Sequence, residues 1–156
     1  MEVSTVEQSM RKTRVYLDNC CFNRPYDDQV SIVIQIETDA KLYIQELIQY
    51  AQLELVWSFV LEYENNDNPF EEIRVRIAEW QQYAVVDCDL TEEITEKAES
   101  LMEQGLRQKD ATHIACALAA KADYFITTDK KVLNKQITGI RIIDPVNFIR
   151  NYTDAE

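Results

Sequence analysis

Short apolar runs alternate with amphipathic stretches along this chain, and that alternation restricts the fold more than any other feature of the sequence. Val15-Tyr16-Leu17 stops at Asp18-Asn19 and reads as a buried strand ending in a turn. After Arg24-Pro25 the spacing changes. Ile36, Ala40, Tyr43, Ile44, Leu47, Ile48 and Ala51 recur at three- and four-residue steps, which predicts a helix beginning near Asp28. Leu53 to Trp57 reads as a second strand, with Ser58 capping a helix that carries Leu61, Glu62 and Glu64. Asn65-Asn66-Asp67-Asn68-Pro69 is a break, and Phe70, Ile73, Ile77 and Trp80 mark a further helix ahead of a third strand, Ala84-Val85-Val86. Thr91, with Glu93 and Glu96 close behind, opens an acidic helix ending about Gly105. An alanine-rich helix follows from about Lys109 to Lys121, its small face formed by Ala111, Ala115, Ala119 and Ala122, and Tyr124–Thr127 and Arg141–Ile143 supply two more strands. Strands apolar on both faces and separated by helices belong in a parallel sheet covered on both sides. The expectation is one three-layer α/β/α sandwich with a central parallel sheet of about five strands over residues 13–152, behind a polar lead-in at residues 1–12 with a mobile end.

In such a sheet, chemistry gathers outside the carboxyl ends of the strands. Asp18 follows the first strand and Asp129 the fourth, while Glu62 or Glu64 enters just after the second and Asp110 lies in the first turn of the alanine-rich helix. Each acid taken singly has a plainer reading, as a turn residue, a helix-start charge or part of a solvated face. Four of them at one sheet edge are another matter, because crowded carboxylates repel and raise one another's pKa unless a cation neutralises them. Hard oxygen donors suit Mg²⁺ or Mn²⁺.

Charge narrows the functional classes. With 28 Asp and Glu against 16 Lys and Arg, the net charge is −12, and broad capture of duplex nucleic acid through phosphate contacts is disfavoured. The longest gap between charged residues, Ala111 to Ala120, is ten, far short of a bilayer span, so no membrane role and a cytoplasmic address are expected. Cys20, Cys21, Cys88 and Cys116 lack the paired spacing of a zinc site and read as reduced thiols filling apolar space. The single histidine, His113, lies three residues after Asp110 on one helix face, which makes an Asp-x-x-His metal pair conceivable.

Three segments resemble the PIN-domain family of VapC-like metal-dependent ribonucleases: Val15-Tyr16-Leu17-Asp18-Asn19, Lys109-Asp110-Ala111-Thr112-His113-Ile114-Ala115-Cys116-Ala117, and Ala122-Asp123-Tyr124-Phe125-Ile126-Thr127-Thr128-Asp129-Lys130-Lys131. The resemblance covers about Thr13 to Asn151. It implies that Asp18, Asp110 and Asp129 bind the metal together with an acid on the helix after the second strand, where counting from Ser58 favours Glu64 over Glu62. It also implies supporting roles for Asn19 and for the hydroxyls of Thr127 and Thr128. Arg24, Lys130 and Lys131 are candidate phosphate contacts. The implied activity is Mg²⁺- or Mn²⁺-dependent hydrolysis of single-stranded or structured RNA. Many small bacterial relatives are the toxin of a toxin–antitoxin pair and relatives often pair as homodimers, so a small antitoxin and a second copy are the implied partners. Where many relatives carry a further acid shortly after Asp129, this chain has Lys130, Lys131 and Asn134, and that leaves a PIN-like binding or regulatory module as the alternative. A haloacid-dehalogenase-like phosphatase needs Asp-x-Asp after the first strand, and here Asn19-Cys20 follows Asp18. A phospho-receiver needs Lys before a late Pro, and Asp144 precedes Pro145.

Overall fold

A computed structural model describes residues 11–154 of the chain; apart from Arg11 and Lys12, the expected polar lead-in lies outside the described residues. The first strand, β1 (Thr13–Leu17), runs directly into the short helix α1 (Asn19–Asn23), whose N-terminus is capped by Asp18. A 3₁₀ turn over Arg24–Tyr26 leads to α2 (Ile32–Gln49). Then come β2 (Leu53–Ser58), α3 (Phe59–Asn66), α4 (Glu71–Ala78) with a 3₁₀ continuation over Glu79–Tyr83, β3 (Ala84–Cys88), α5 (Glu92–Glu103) and α6 (Gln108–Ala119). The chain closes with β4 (Tyr124–Ile126), α7 (Lys130–Leu133), β5 (Arg141–Ile143) and α8 (Pro145–Asp154).

All five strands are parallel, in the order β3-β2-β1-β4-β5. The chain leaves β1 toward β2 and β3 on one side and returns to β4 and β5 on the other, so the order reverses at the β1–β4 boundary, where open sheets of this kind place their sites. Leu17 pairs with Ile126 across that boundary, and the Asp18 N–H extends the ladder to the Ile126 carbonyl at 2.9 Å. Val15, Tyr16 and Leu17 are fully buried, as the uninterrupted apolar run requires of a strand covered on both faces. Helix α2 packs on α8 and α5 on α6, giving the outer layers of the α/β/α sandwich.

Local chemistry explains the helix boundaries. Ser58 accepts from the Leu61 N–H and Thr91 from the Ile94 N–H, the two expected caps. Gly105 stops α5 at φ +99°, a conformation that a residue with a Cβ adopts only under strain. Ala111, Ala115 and Ala122 are buried as small-residue packing predicts, whereas Ala119 is exposed. The helix expected from Asp28 starts four residues later, at Ile32, because Arg24-Pro25-Tyr26 forms its own tight turn. Helices α1, α7 and α8 are absent from the sequence reading; α1 and α7 span one turn or little more and show no period. Lys41 of α2 is buried beneath α1, with Nζ 3.5 Å from the Phe22 carbonyl and 5.5 Å from the Phe22 ring centroid. Among the described residues no helix is long and apolar enough to cross a membrane.

Candidate metal centre

Asp18 leaves the centre of the sheet already oriented. Its Oδ2 accepts from the Thr127 hydroxyl at 2.8 Å and its Oδ1 from the Asn19 N–H at 2.8 Å, while the same Thr127 oxygen accepts from the Asp129 N–H at 3.1 Å. One buried hydroxyl thereby ties together the carboxyl ends of β1 and β4. Asp129 in turn caps α7 by accepting from the Lys131 N–H. Thr128 is engaged differently from Thr127, its hydroxyl accepting from Arg24 Nη2 at 2.7 Å.

Glu64 and Glu62 separate as the helical angle predicts. Glu64 turns inward, and one of its oxygens groups with Asp18 and His113 so that their three ligand atoms lie within 4.8 Å of one another, whereas Glu62 is exposed. His113 is 1 % exposed; its Nε2 contacts Glu64 Oε1 and stands 3.8 Å from Asp18 Oδ1. Its Nδ1 is 2.6 Å from the Tyr16 hydroxyl, which is itself 2.6 Å from the Ser58 hydroxyl.

Asp110 joins from the first turn of α6. Burial, and then the charges of Asp18 and Asp129, push its pKa above the ordinary carboxylate value, while Arg107 and His113 pull it down. Among the described residues the ligand atoms that lie together are those of Asp18, Glu64 and His113; Asp110 and Asp129 stand outside that group. Carboxylate oxygens under mutual repulsion fit a hard divalent cation. Arg107 meets part of the same need, standing 3.7 Å from Asp110 and 3.8 Å from Asp129 while its side chain stays 68 % exposed.

The candidate phosphate contacts divide. Lys130 and Lys131 are exposed beside Asp129. Arg24 is held by Thr128, by Asp27 at 3.0 Å and by Glu37 at 3.4 Å, so its guanidinium braces the loop between α1 and α2. Asn19 contributes its N–H to Asp18, while its side-chain oxygen accepts from Asn23. Sequence reasoning missed Arg107, which carries no motif of its own, and Cys20, whose Sγ lies 3.6 Å from Asp18 Oδ2 and 3.4 Å from Thr127 Oγ1. A hydrogen bond with Cys21 lowers the Cys20 thiol pKa from its ordinary value. Cys20, Cys21, Cys88 and Cys116 are all free.

The PIN-domain family model matches residues 15–136 of the chain. Among solved structures, the chain is similar to that of VapBC2 from Rickettsia felis bound to a DNA fragment from their promoter, with a TM-score of 0.53 at 15 % identity over 83 % of this chain and 97 % of that one. No curated protein matches the sequence.

Proposed function

The chain belongs to the PIN-domain family, and on that premise we propose that it is a metal-dependent endoribonuclease acting on single-stranded or looped RNA. The observation that carries this reading is the meeting of Asp18, from the end of β1, and Glu64, from α3, in one group whose ligand atoms lie within 4.8 Å of one another, with Asp110 close by, its pKa raised first by burial and then by Asp18 and Asp129. In this reading those four residues hold Mg²⁺ or Mn²⁺, which when bound supplies an acidified water and neutralises phosphate charge. Thr127 and the Asn19 N–H keep both oxygens of Asp18 fixed, so that little reorganisation accompanies binding.

A cleft of about 440 Å³ abuts Asp110 and is lined in part by Arg107, Lys131 and Lys135. In a chain of net charge −12, such a local set of cations suits the neighbouring phosphates of one strand better than the two backbones of a duplex. Support for a protein partner comes from the solved relative, VapBC2, and the proposed partner is a small antitoxin, this chain being the toxin. A second copy and a cytoplasmic setting belong to the same proposal. With Mn²⁺ the purified protein is expected to cleave RNA, and Asp110→Asn to lose at least ~10²-fold of that activity; cleavage that survives the substitution overturns the assignment.

One observation favours a second reading, a PIN-like module that binds without cutting. Arg107 already spans Asp110 and Asp129, and its guanidinium meets part of the charge that an ion would neutralise. Calorimetric titration with Mn²⁺ separates the two, since the module lacks a tight, carboxylate-dependent ion site.

A further inference from the structure

Three polar side chains lie in the dry middle of the molecule without any part in the four-carboxylate reading: Ser58 and Tyr16 are 0 % exposed and His113 is 1 % exposed. They form one line. The Leu61 N–H lies 3.2 Å from Ser58 Oγ, Ser58 Oγ lies 2.6 Å from the Tyr16 hydroxyl, that hydroxyl lies 2.6 Å from His113 Nδ1, and His113 Nε2 contacts Glu64 Oε1. The line starts on a backbone amide of α3 and ends on a carboxylate of the same helix, having crossed β2, β1 and α6 on the way.

The order of donors decides what His113 does. An ionised carboxylate only accepts, so with Glu64 ionised the contact places a proton on Nε2. In the neutral ring Nδ1 is then bare and accepts from Tyr16; Tyr16 accepts from Ser58, and Ser58 accepts from the Leu61 amide. Each hydroxyl in the line accepts on one side and donates on the other, and each ring nitrogen has one partner, so no polar atom within the line is left unpaired. The opposite tautomer turns the Nε2 lone pair onto Glu64 with no proton between them. Tyr16 is itself fixed, stacked on Phe125 with centroids 5.3 Å apart and edge-on to the His113 ring at 5.6 Å.

We propose that His113 is a positioning residue: carrying its proton on Nε2 and held there by the Ser58–Tyr16 hydroxyl pair, it aims Glu64 at Asp18 and is not itself a ligand of the metal. The proposal rests on the reading of the acids as an ion site. It replaces the Asp-x-x-His ligand pair that sequence spacing makes conceivable, because the nitrogen facing the acids is occupied by a proton.

The test exploits the single histidine in the chain, which in untagged protein gives one set of ring nitrogen signals. Long-range ¹H–¹⁵N spectra are expected to show Nε2 protonated and Nδ1 bare, with Nε2 keeping its proton when diamagnetic Mg²⁺ is added to saturation. A bare Nε2, or loss of its proton on adding Mg²⁺, overturns the proposal in favour of a nitrogen ligand. Calorimetry with Mn²⁺ supplies the second arm. His113→Leu is expected to weaken binding about tenfold, and His113→Gln, which can present an amide N–H to Glu64, to recover it to within about threefold of the parent. Failure of Gln to recover affinity while the fold is intact by circular dichroism counts against positioning. Absence of carboxylate-dependent ion binding in the parent protein instead sinks the nuclease reading, whereas the tautomer of His113 is read with or without an ion.

Discussion

Thr127 carries more of the site than its size suggests, because one hydroxyl both donates to Asp18 and accepts from the Asp129 N–H. Thr127→Val keeps the shape and removes both bonds. Ion affinity and RNA cleavage are expected to fall about 10–100-fold, the usual cost of losing the group that orients a ligand, which calorimetry and a cleavage assay would register together. Lys41 presents the opposite case, a charge confined by apolar packing. Burial lowers its pKa from 10.5 to about 7, with the Cys21 thiol pulling weakly the other way. Below that folded value the buried amine must be protonated at a cost, and between about 7 and 10.5 the unfolded chain binds a proton that the folded chain does not. Stability attributable to Lys41 therefore rises with pH across that window. Lys41→Met is expected to stabilise the protein by a few kcal/mol at pH 6 and to flatten the rise, measured as urea midpoints at several pH values. At this scale the sequence was legible where a residue has a fixed offset from a strand end. Asp18 and Asp129 stand at β-strand ends, and Glu64 faces in while Glu62 faces out because two residues turn a helix by about 200°. Arg107 was not legible, since an arginine ahead of a helix carries no signal until the fold places Asp129 beside it.

Strand and helix boundaries obey short-range chemistry, and the elements whose chemistry was written in the sequence were the ones read correctly. Ser58 and Thr91 cap as their side chains dictate, and the apolar runs of β1 and β2 are buried strands. Helix α1 escaped notice because Asn19–Asn23 is too short to show a period, and its cap is the same Asp18 that reads as a turn acid. Helix α8 rests on tertiary packing, with Phe148 edge-on to Tyr124 at 5.0 Å and stacked with Tyr152 at 5.8 Å. Gly105 links element to site, since it ends α5 two residues ahead of Arg107. A Cβ there meets Lys135 Nζ at 3.0 Å as well as the positive φ. Gly105→Ala is expected to cost about 1 kcal/mol and to disturb the Arg107 contacts to Asp110 and Asp129, visible as a lowered melting temperature.

For the molecule as a whole, the acid excess divides into two parts. Glu92, Glu93, Glu96, Glu99 and Glu103 stand exposed on α5, where water screens them. The acids at the sheet edge are part-buried and repel one another, so a divalent ion that binds only the folded chain should stabilise it. At a free concentration about 100 times its dissociation constant, Mn²⁺ is expected to add about 2.7 kcal/mol, a rise in melting temperature of roughly 5–10 °C for a chain of this size. Monovalent salt at equal ionic strength should give far less, and Asp110→Asn should shrink the Mn²⁺ shift.

Asp18 and Asp129 lie far apart in the sequence, and they come close only because β4 inserts beside β1 after β2 and β3 have been laid on the other side. Any product of interrupted translation that stops short of residue 129 lacks an acid of the set. On the proposed reading such a product cannot assemble the ion site, so any capacity to cut RNA arises only after β4 and the turn that follows it have been made.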